Sequence, residues 1–150
     1  MKTNSIPQLI ALALGLAGIP AMAEDWGAYS IVPVSAQATV LEAVGSGNTE
    51  GTVVSINRPA GAPNQKWIIT PAEAGFFSIR PAHDTSLVLA AGNGGTKNGA
   101  AIVLEKDSGK PWQLWALTKH ENGSYTLTPK HAPEQGLDDN GGKQAPGSKI

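Results

Sequence analysis

One register runs through this chain three times. Tyr29-Ser30-Ile31-Val32-Pro33 returns as Phe77-Ser78-Ile79-Arg80-Pro81 and again as Tyr125-Thr126-Leu127-Thr128-Pro129. The same spacing relates Leu41, Leu89 and Leu137, then Gly51, Gly99 and Gly147, then Val54, Ile102 and Ile150. Gln65-Lys66-Trp67 matches Gln113-Leu114-Trp115. A fixed period of about 48 residues marks a supersecondary unit that cannot bury its apolar face alone and must stack on copies of itself. The register places a third Gln-x-Trp triplet near position 161, past Ile150, so about 22 residues of the third unit are expected to be missing.

Within each unit the strand signals outweigh all others. Thr52-Val53-Val54-Ser55-Ile56, Trp67-Ile68-Ile69-Thr70, Ala101-Ile102-Val103-Leu104 and Trp115-Ala116-Leu117-Thr118 are short β-rich runs. Gly- and Asn-rich clusters separate them, at 45–48, 92–95, 121–123 and 140–142. After the N-terminal segment no stretch long enough for a helix keeps a 3.6 period, so almost no helix is expected. The first unit reads as four strands near Tyr29–Val32, Val40–Ala43, Val53–Ile56 and Trp67–Ile69. Glu121-Asn122-Gly123-Ser124 reads as a hairpin turn, because Asn-Gly readily adopts the positive φ that tight hairpins need. The repeated Leu and Val/Ile positions are the core candidates, with Trp67 and Trp115 beneath them.

The segment from Met1 to Ala23 carries a different signal. Lys2, an apolar stretch from Leu9 to Ile19, Pro20 and the small-residue sequence Ala21-Met22-Ala23 read as a cleavable secretory signal peptide. The stretch falls short of the ~20 residues that span a bilayer; an uncleaved anchor is the competing reading. Cleavage after Ala23 would leave one domain, 24–150, secreted or periplasmic and without membrane contact. The 11 Lys and Arg less Lys2 leave ten basic against 12 acidic side chains, with no basic cluster, which argues against nucleic acid as a partner. There is no cysteine, so an exported domain must hold by its core alone, and thiolate chemistry is excluded.

Catalytic patterns are weak. His83 and His131 share the register and are therefore repeat-equivalent, with Ser35 at the matching place in the first unit. Symmetry explains that spacing better than a catalytic or metal role with Asp84. Asp138 and Asp139 are chain neighbours, whereas glycosidases need carboxyls facing across a cleft. No nucleophile elbow and no phosphate-cradling loop occurs. No enzyme and no cofactor is expected in these residues, although a catalytic domain could follow residue 150.

The two Gln-x-Trp triplets in register, the three aromatic-x-x-x-Pro starts and the shared glycines resemble the ricin-type β-trefoil lectin domain over Trp26 to Ile150. The resemblance implies an all-β trefoil of three units, about 26–73, 74–121 and 122–150, the last incomplete. It implies that Gln65, Trp67, Gln113 and Trp115 are structural: the indoles bury, and the amides satisfy backbone groups. It further implies carbohydrate as the partner. A carboxylate or amide accepts from vicinal hydroxyls while an aromatic face stacks on the ring. In the family the acid follows the register Leu, the aromatic ends the Gly-x-x-Val strand, and a polar Asn precedes Gln-x-Trp. The first unit offers Glu42, with Asn57 and Ala60 at the other places. The second offers Ala90, Glu105 and Ser108 and loses all three features. The third offers Asp138, Asp139 and Asn140, with its aromatic expected near position 153. The sugar-contact candidates are therefore Asp138, Asp139, Asn140 and Glu42. Trp112 is the best aromatic candidate for exposure, against a reading as a cap on the open end.

The expected function is an exported carbohydrate-binding module that tethers a larger secreted protein to polysaccharide or glycan. The alternative is a non-lectin trefoil used for protein interaction or inhibition. An open trefoil end is expected to expose a strand edge and favour self-association.

Overall fold

In a computed structural model, residues 27–139 and 141–150 are described. The signal-peptide reading and Asn140 lie outside them. Nine strands follow one another: β1 (Ala28–Tyr29), β2 (Val40–Ala43), β3 (Val54–Asn57), β4 (Trp67–Glu73), β5 (Phe76–Pro81), β6 (Leu87–Ala91), β7 (Ile102–Lys106), β8 (Trp115–Lys119) and β9 (Tyr125–Pro129). The only helical segments among the described residues are four short 3-10 turns, Val44–Ser46, Pro63–Gln65, Gly92–Gly94 and Pro111–Gln113. The expected all-β class with almost no helix is what is found.

The strands form one five-stranded antiparallel sheet in the order β1-β4-β5-β8-β9 and two separate hairpins, β2-β3 and β6-β7. First and fourth strands of each unit thus build a shared wall, while second and third strands pair within the unit. This is the division expected of a trefoil. Every residue of β6 is buried, which a strand of Leu, Val and Ala permits. The Asn-Gly turn behaves as expected: the His120 amide donates to Ser124 O, and Gly123 takes φ +82°.

The boundaries shift in three of the four strands expected of the first unit: β1 covers Ala28–Tyr29 rather than Tyr29–Val32, β3 covers Val54–Asn57 rather than Val53–Ile56, and β4 lengthens. β4 runs to Glu73, past the expected Ile69, because the hairpin with β5 continues through an irregularity between Pro71 and Glu73 that pairs Glu73 with Phe76.

The core is built from register-equivalent side chains. Leu41, Leu89, Val54, Ile102 and Ile150 are buried, and Leu137 packs against them half-buried. Trp67 and Trp115 are 0% and 1% exposed. Each indole N–H donates to the carbonyl of its unit's register Leu, Trp67 to Leu41 at 3.0 Å and Trp115 to Leu89 at 2.9 Å. A buried indole needs such a partner, so the Leu–Trp spacing is fixed by hydrogen bonding as well as by packing.

Adjacent units are latched by repeat-equivalent side chains. The His83 Nε2–H donates to Gly47 O, and the His131 Nε2–H donates to Gly95 O, both at 2.9 Å. A carbonyl can only accept, so the ring proton sits on Nε2. In the third such place the Ser35 hydroxyl donates to Asp139 Oδ2 at 2.5 Å.

Candidate functional site

Each unit offers one set of equivalent positions just outside the core. In the first, Glu42 leaves β2 half-buried and is clamped from two sides. Its Oε2 accepts from Gln65 Nε2 at 2.7 Å, and its Oε1 accepts from Asn57 Nδ2 at 3.0 Å. Gln65 itself is spent on the loop before it: Nε2 also donates to Arg58 O, and Oε1 accepts from the Ala60 amide. Its side chain is buried, and every polar atom has a partner, as buried polar groups require.

The second unit reaches the same clamp from a different strand. Ala90 removes the acid from β6, but Glu105 on β7, the register equivalent of Asn57, supplies a carboxylate instead. Glu105 Oε2 accepts from Gln113 Nε2 and from the Trp112 indole, each at 2.9 Å. Gln113 Oε1 accepts from the amides of Ser108 and Lys110. The Gln–carboxylate pair is thus kept while the acid changes strands. The register predicts this poorly, because a side chain long enough can reach one point from either neighbouring strand.

Trp112 is half-buried. Its ring lies against the Gly92–Gly94 turn so closely that a Cβ on Gly94 would sit 3.1 Å from Cε3. Lys110 Nζ lies 5.9 Å from its ring centroid, and His131 meets its edge at 6.4 Å. Trp112 thus covers a turn of its own unit and stays half-buried, and it lines neither of the two cavities beside the third unit.

The register equivalent of Trp112 in the first unit is Asn64, and it, rather than Ala60, is the polar residue that leads into Gln-x-Trp. Asn64 is 6% exposed and donates Nδ2 to Ala43 O at 2.9 Å. The sequence carries the signal: Asn64 directly precedes Gln65, and the register ties it to Trp112.

In the third unit the two acids part company. Asp139 is buried, at the place held by Ala43 and Ala91 in the other units, and takes the Ser35 hydroxyl. Its carbonyl accepts from the Gly142 amide at 2.7 Å. Asp138 is exposed and makes no hydrogen bond among the described residues. It stands on the rim between two cavities. One, of about 480 Å³, runs between the Ser30–Val34 segment and β9, with Leu41, Leu137 and Ile150 at its base. The other, of about 550 Å³, is lined by Ala91, Lys97, Ile102, Trp115 and Gln135. Glu42 and Asp138, equivalent by register, therefore differ in availability: one is committed to an internal clamp, and the other is open to a ligand.

His120 is exposed and pairs through Nε2 with Thr126 Oγ1 at 2.7 Å, at the mouth of the first cavity. Among the described residues no three His, Asp or Glu side chains gather as metal ligands. Asp107 is held below the usual carboxylate range, first by its hydrogen bond from Arg80. Arg80 also donates to Thr85 O, so the pair ties β5 to the β5–β6 connection and to the loop after β7.

Comparison with known proteins follows the fold. The family model described as "Ricin-type beta-trefoil lectin domain-like" matches residues 21–105 and again 84–150. No curated protein matches the chain in sequence. Among solved structures, the chain is similar to ThreeFoil, a designed 3-fold symmetric protein, with a TM-score of 0.78 at 23% identity, over 81% of this chain and 85% of that one. It is similar to 1,3Gal43A, an exo-beta-1,3-galactanase from Clostridium thermocellum, with a TM-score of 0.75 at 18% identity, over 86% of this chain and 27% of that one. It is also similar to the Polyporus squamosus lectin bound to Neu5Aca2-6Galb1-4GlcNAc, with a TM-score of 0.67 at 23% identity, over 83% of this chain and 42% of that one. The chain thus spans less than half of the galactanase and lectin chains.

Proposed function

The chain belongs to the ricin-type β-trefoil lectin-like family, and from that premise we propose that it is a carbohydrate-binding module whose third unit makes the principal sugar contact. The observation that carries this reading is Asp138: an exposed carboxylate with no internal partner among the described residues, on a rim between two cavities. A carboxylate in that state can accept from two vicinal hydroxyls without first breaking a bond to the protein. Glu42 is half-buried and already accepts one hydrogen bond on each oxygen, from Asn57 and Gln65, which leaves it less accessible to a ligand. Asp139 acts in this reading as a support behind Asp138, and Asn140, next in sequence, as a further polar contact.

We further propose that the module is exported and serves to tether a larger secreted protein to polysaccharide or glycan, with no catalysis of its own. Export rests on Lys2, the Leu9–Ile19 stretch and Ala21-Met22-Ala23. Amino-terminal sequencing of the mature protein is expected to begin at Glu24; an intact Met1 or Lys2 would remove the cleavage after Ala23 and favour the uncleaved anchor. A shallow site of this kind gains useful affinity from a tethered partner or from several sites at once.

The test is retention on insoluble polysaccharides and on a glycan array, with Asp138→Ala as the variant. Loss of one charged hydrogen-bond acceptor is worth about 1.5–3 kcal/mol, so retention should fall at least about tenfold. Unchanged retention would remove the third-unit site. The absence of an aromatic at Asn57 and the internal use of Glu42 favour the second reading, a trefoil specialised for protein contact. No retention on any glycan would leave that reading standing.

A further inference from the structure

The acid of the third unit is held in place by two different units. Leu137, on one side of Asp138, donates its amide to Leu127 O at 2.9 Å and is so tied to β9 of its own unit. Asp139, on the other side, is 5% exposed and takes the Ser35 hydroxyl, which comes from the first unit. The Asp139 carbonyl is fixed as well, by the amides of Gly142 and Lys143 at 2.7 and 3.3 Å. Asp138 therefore carries a free side chain on a backbone anchored at both neighbours.

Ser35 is itself firmly presented. The Ala36 amide closes a turn onto Pro33 O at 3.2 Å, and Ala36 is buried in the core. The amide and the hydroxyl of Thr39 both donate to Ala36 O, at 2.9 and 2.7 Å. The arrangement is particular to this junction. The residue equivalent to Asp139 is Ala43 in the first unit and Ala91 in the second, and a methyl group can make no such bond. The other two junctions are latched further along the chain, where His83 meets Gly47 O and His131 meets Gly95 O. Only in the third unit does the latch reach the residue next to the acid.

We propose that Ser35 is a positioning residue for the sugar site of the third unit, and that glycan binding is thereby coupled to the docking of the first unit on the third. The inference rests on the reading of Asp138 as the principal sugar contact. A carboxylate that meets two vicinal hydroxyls gains most when its backbone is placed before the sugar arrives, because less freedom is then lost on binding. Ser35 supplies that placement through Asp139 and needs no contact with the sugar. Coupling of this kind is reciprocal: a bound glycan favours the docked first unit by the same factor as docking favours the glycan.

The test compares the full chain with Asp138→Ala, Ser35→Ala, Ser35→Thr, which keeps the hydroxyl, and His83→Ala, which removes the equivalent latch at another junction. Two quantities are read while tryptophan fluorescence shows each variant folded: hydrogen exchange at the Gly142 and Lys143 amides, and retention on insoluble galactan, xylan and chitin. Ser35→Ala is expected to speed that exchange and to lower retention, each at least about fivefold. Ser35→Thr restores both, and His83→Ala leaves both at the wild-type level. Unchanged exchange in Ser35→Ala would overturn the positioning role. Equal loss of retention in Ser35→Ala and His83→Ala would overturn it as well, since general destabilisation would then explain both. The wild-type chain gives a check that needs no variant: soluble fragments of the polysaccharide that retains it should slow exchange of the Ala36 amide in the first unit. No slowing there would sink the coupling. If Asp138→Ala abolishes retention and Ser35→Ala does not, the coupling fails and the sugar reading of Asp138 stands. If the wild type and Asp138→Ala are retained alike, or neither is retained, the sugar reading fails and the coupling falls with it.

Discussion

Asp139 shows how one residue can be misjudged from its neighbours and understood from its register. Beside Asp138 in sequence, it reads as a sugar-contact candidate. Its register partners are Ala43 and Ala91, both buried, and it is buried too. The Ser35 hydroxyl supplies its hydrogen bond, in the place where His83 and His131 serve the other two junctions. The inward position was therefore legible, while the Ser–Asp pairing across 104 residues was not, because nothing local links the two. Removing one partner leaves a desolvated acceptor, whereas removing the acceptor restores the alanine of the other units. Ser35→Ala is accordingly expected to lower stability in urea by about 1.5–3 kcal/mol, and Asp139→Ala by less. Equal losses for the two variants would show that the hydrogen bond, rather than the stranded carboxylate, sets the cost.

The repeated glycines belong to the scale of the hairpin. Gly51, Gly99 and Gly147 take φ of +85°, +80° and +86°, and a Cβ at any of them would meet nothing within 4 Å. Space is not the reason for glycine; backbone conformation is. Gly51 also donates its amide to Leu104 O, and Gly147 donates to Ile56 O, so the bend aims a hydrogen bond at the next unit. Gly51→Ala is expected to cost about 1–2 kcal/mol, the penalty for a left-handed L-residue, with the melting temperature as readout. A loss below the error of the measurement would mean that the turn relaxes to another conformation. Strands and turns at this scale were well marked in the sequence, because alternation and glycine report local geometry. The Gln clamps were half marked. Gln65 and Gln113 declare themselves by repetition, yet the carboxylate each one meets comes from β2 in one unit and β7 in the other.

At the scale of the whole molecule, repetition specified the architecture, and departures from it specified the candidate surfaces. Asp138 is open where its equivalent Glu42 is clamped and Ala90 has no carboxylate, and Trp112 stands where the first unit has Asn64. The three junction latches differ in the same way, and their reach along the chain is unequal. His83 meets Gly47 and His131 meets Gly95 across 36 residues each, whereas Ser35 meets Asp139 across 104. Closing the longer span costs roughly 1 kcal/mol more in chain entropy. The order of assembly follows: neighbouring units dock first, and the ring is sealed last. A contact made after the folding barrier affects only the rate of escape. In stopped-flow refolding, Ser35→Ala should therefore unfold faster while folding at the wild-type rate, and His83→Ala should slow folding. The Ser–Asp pair is in this sense a clasp, setting how long the closed ring persists rather than how quickly it forms.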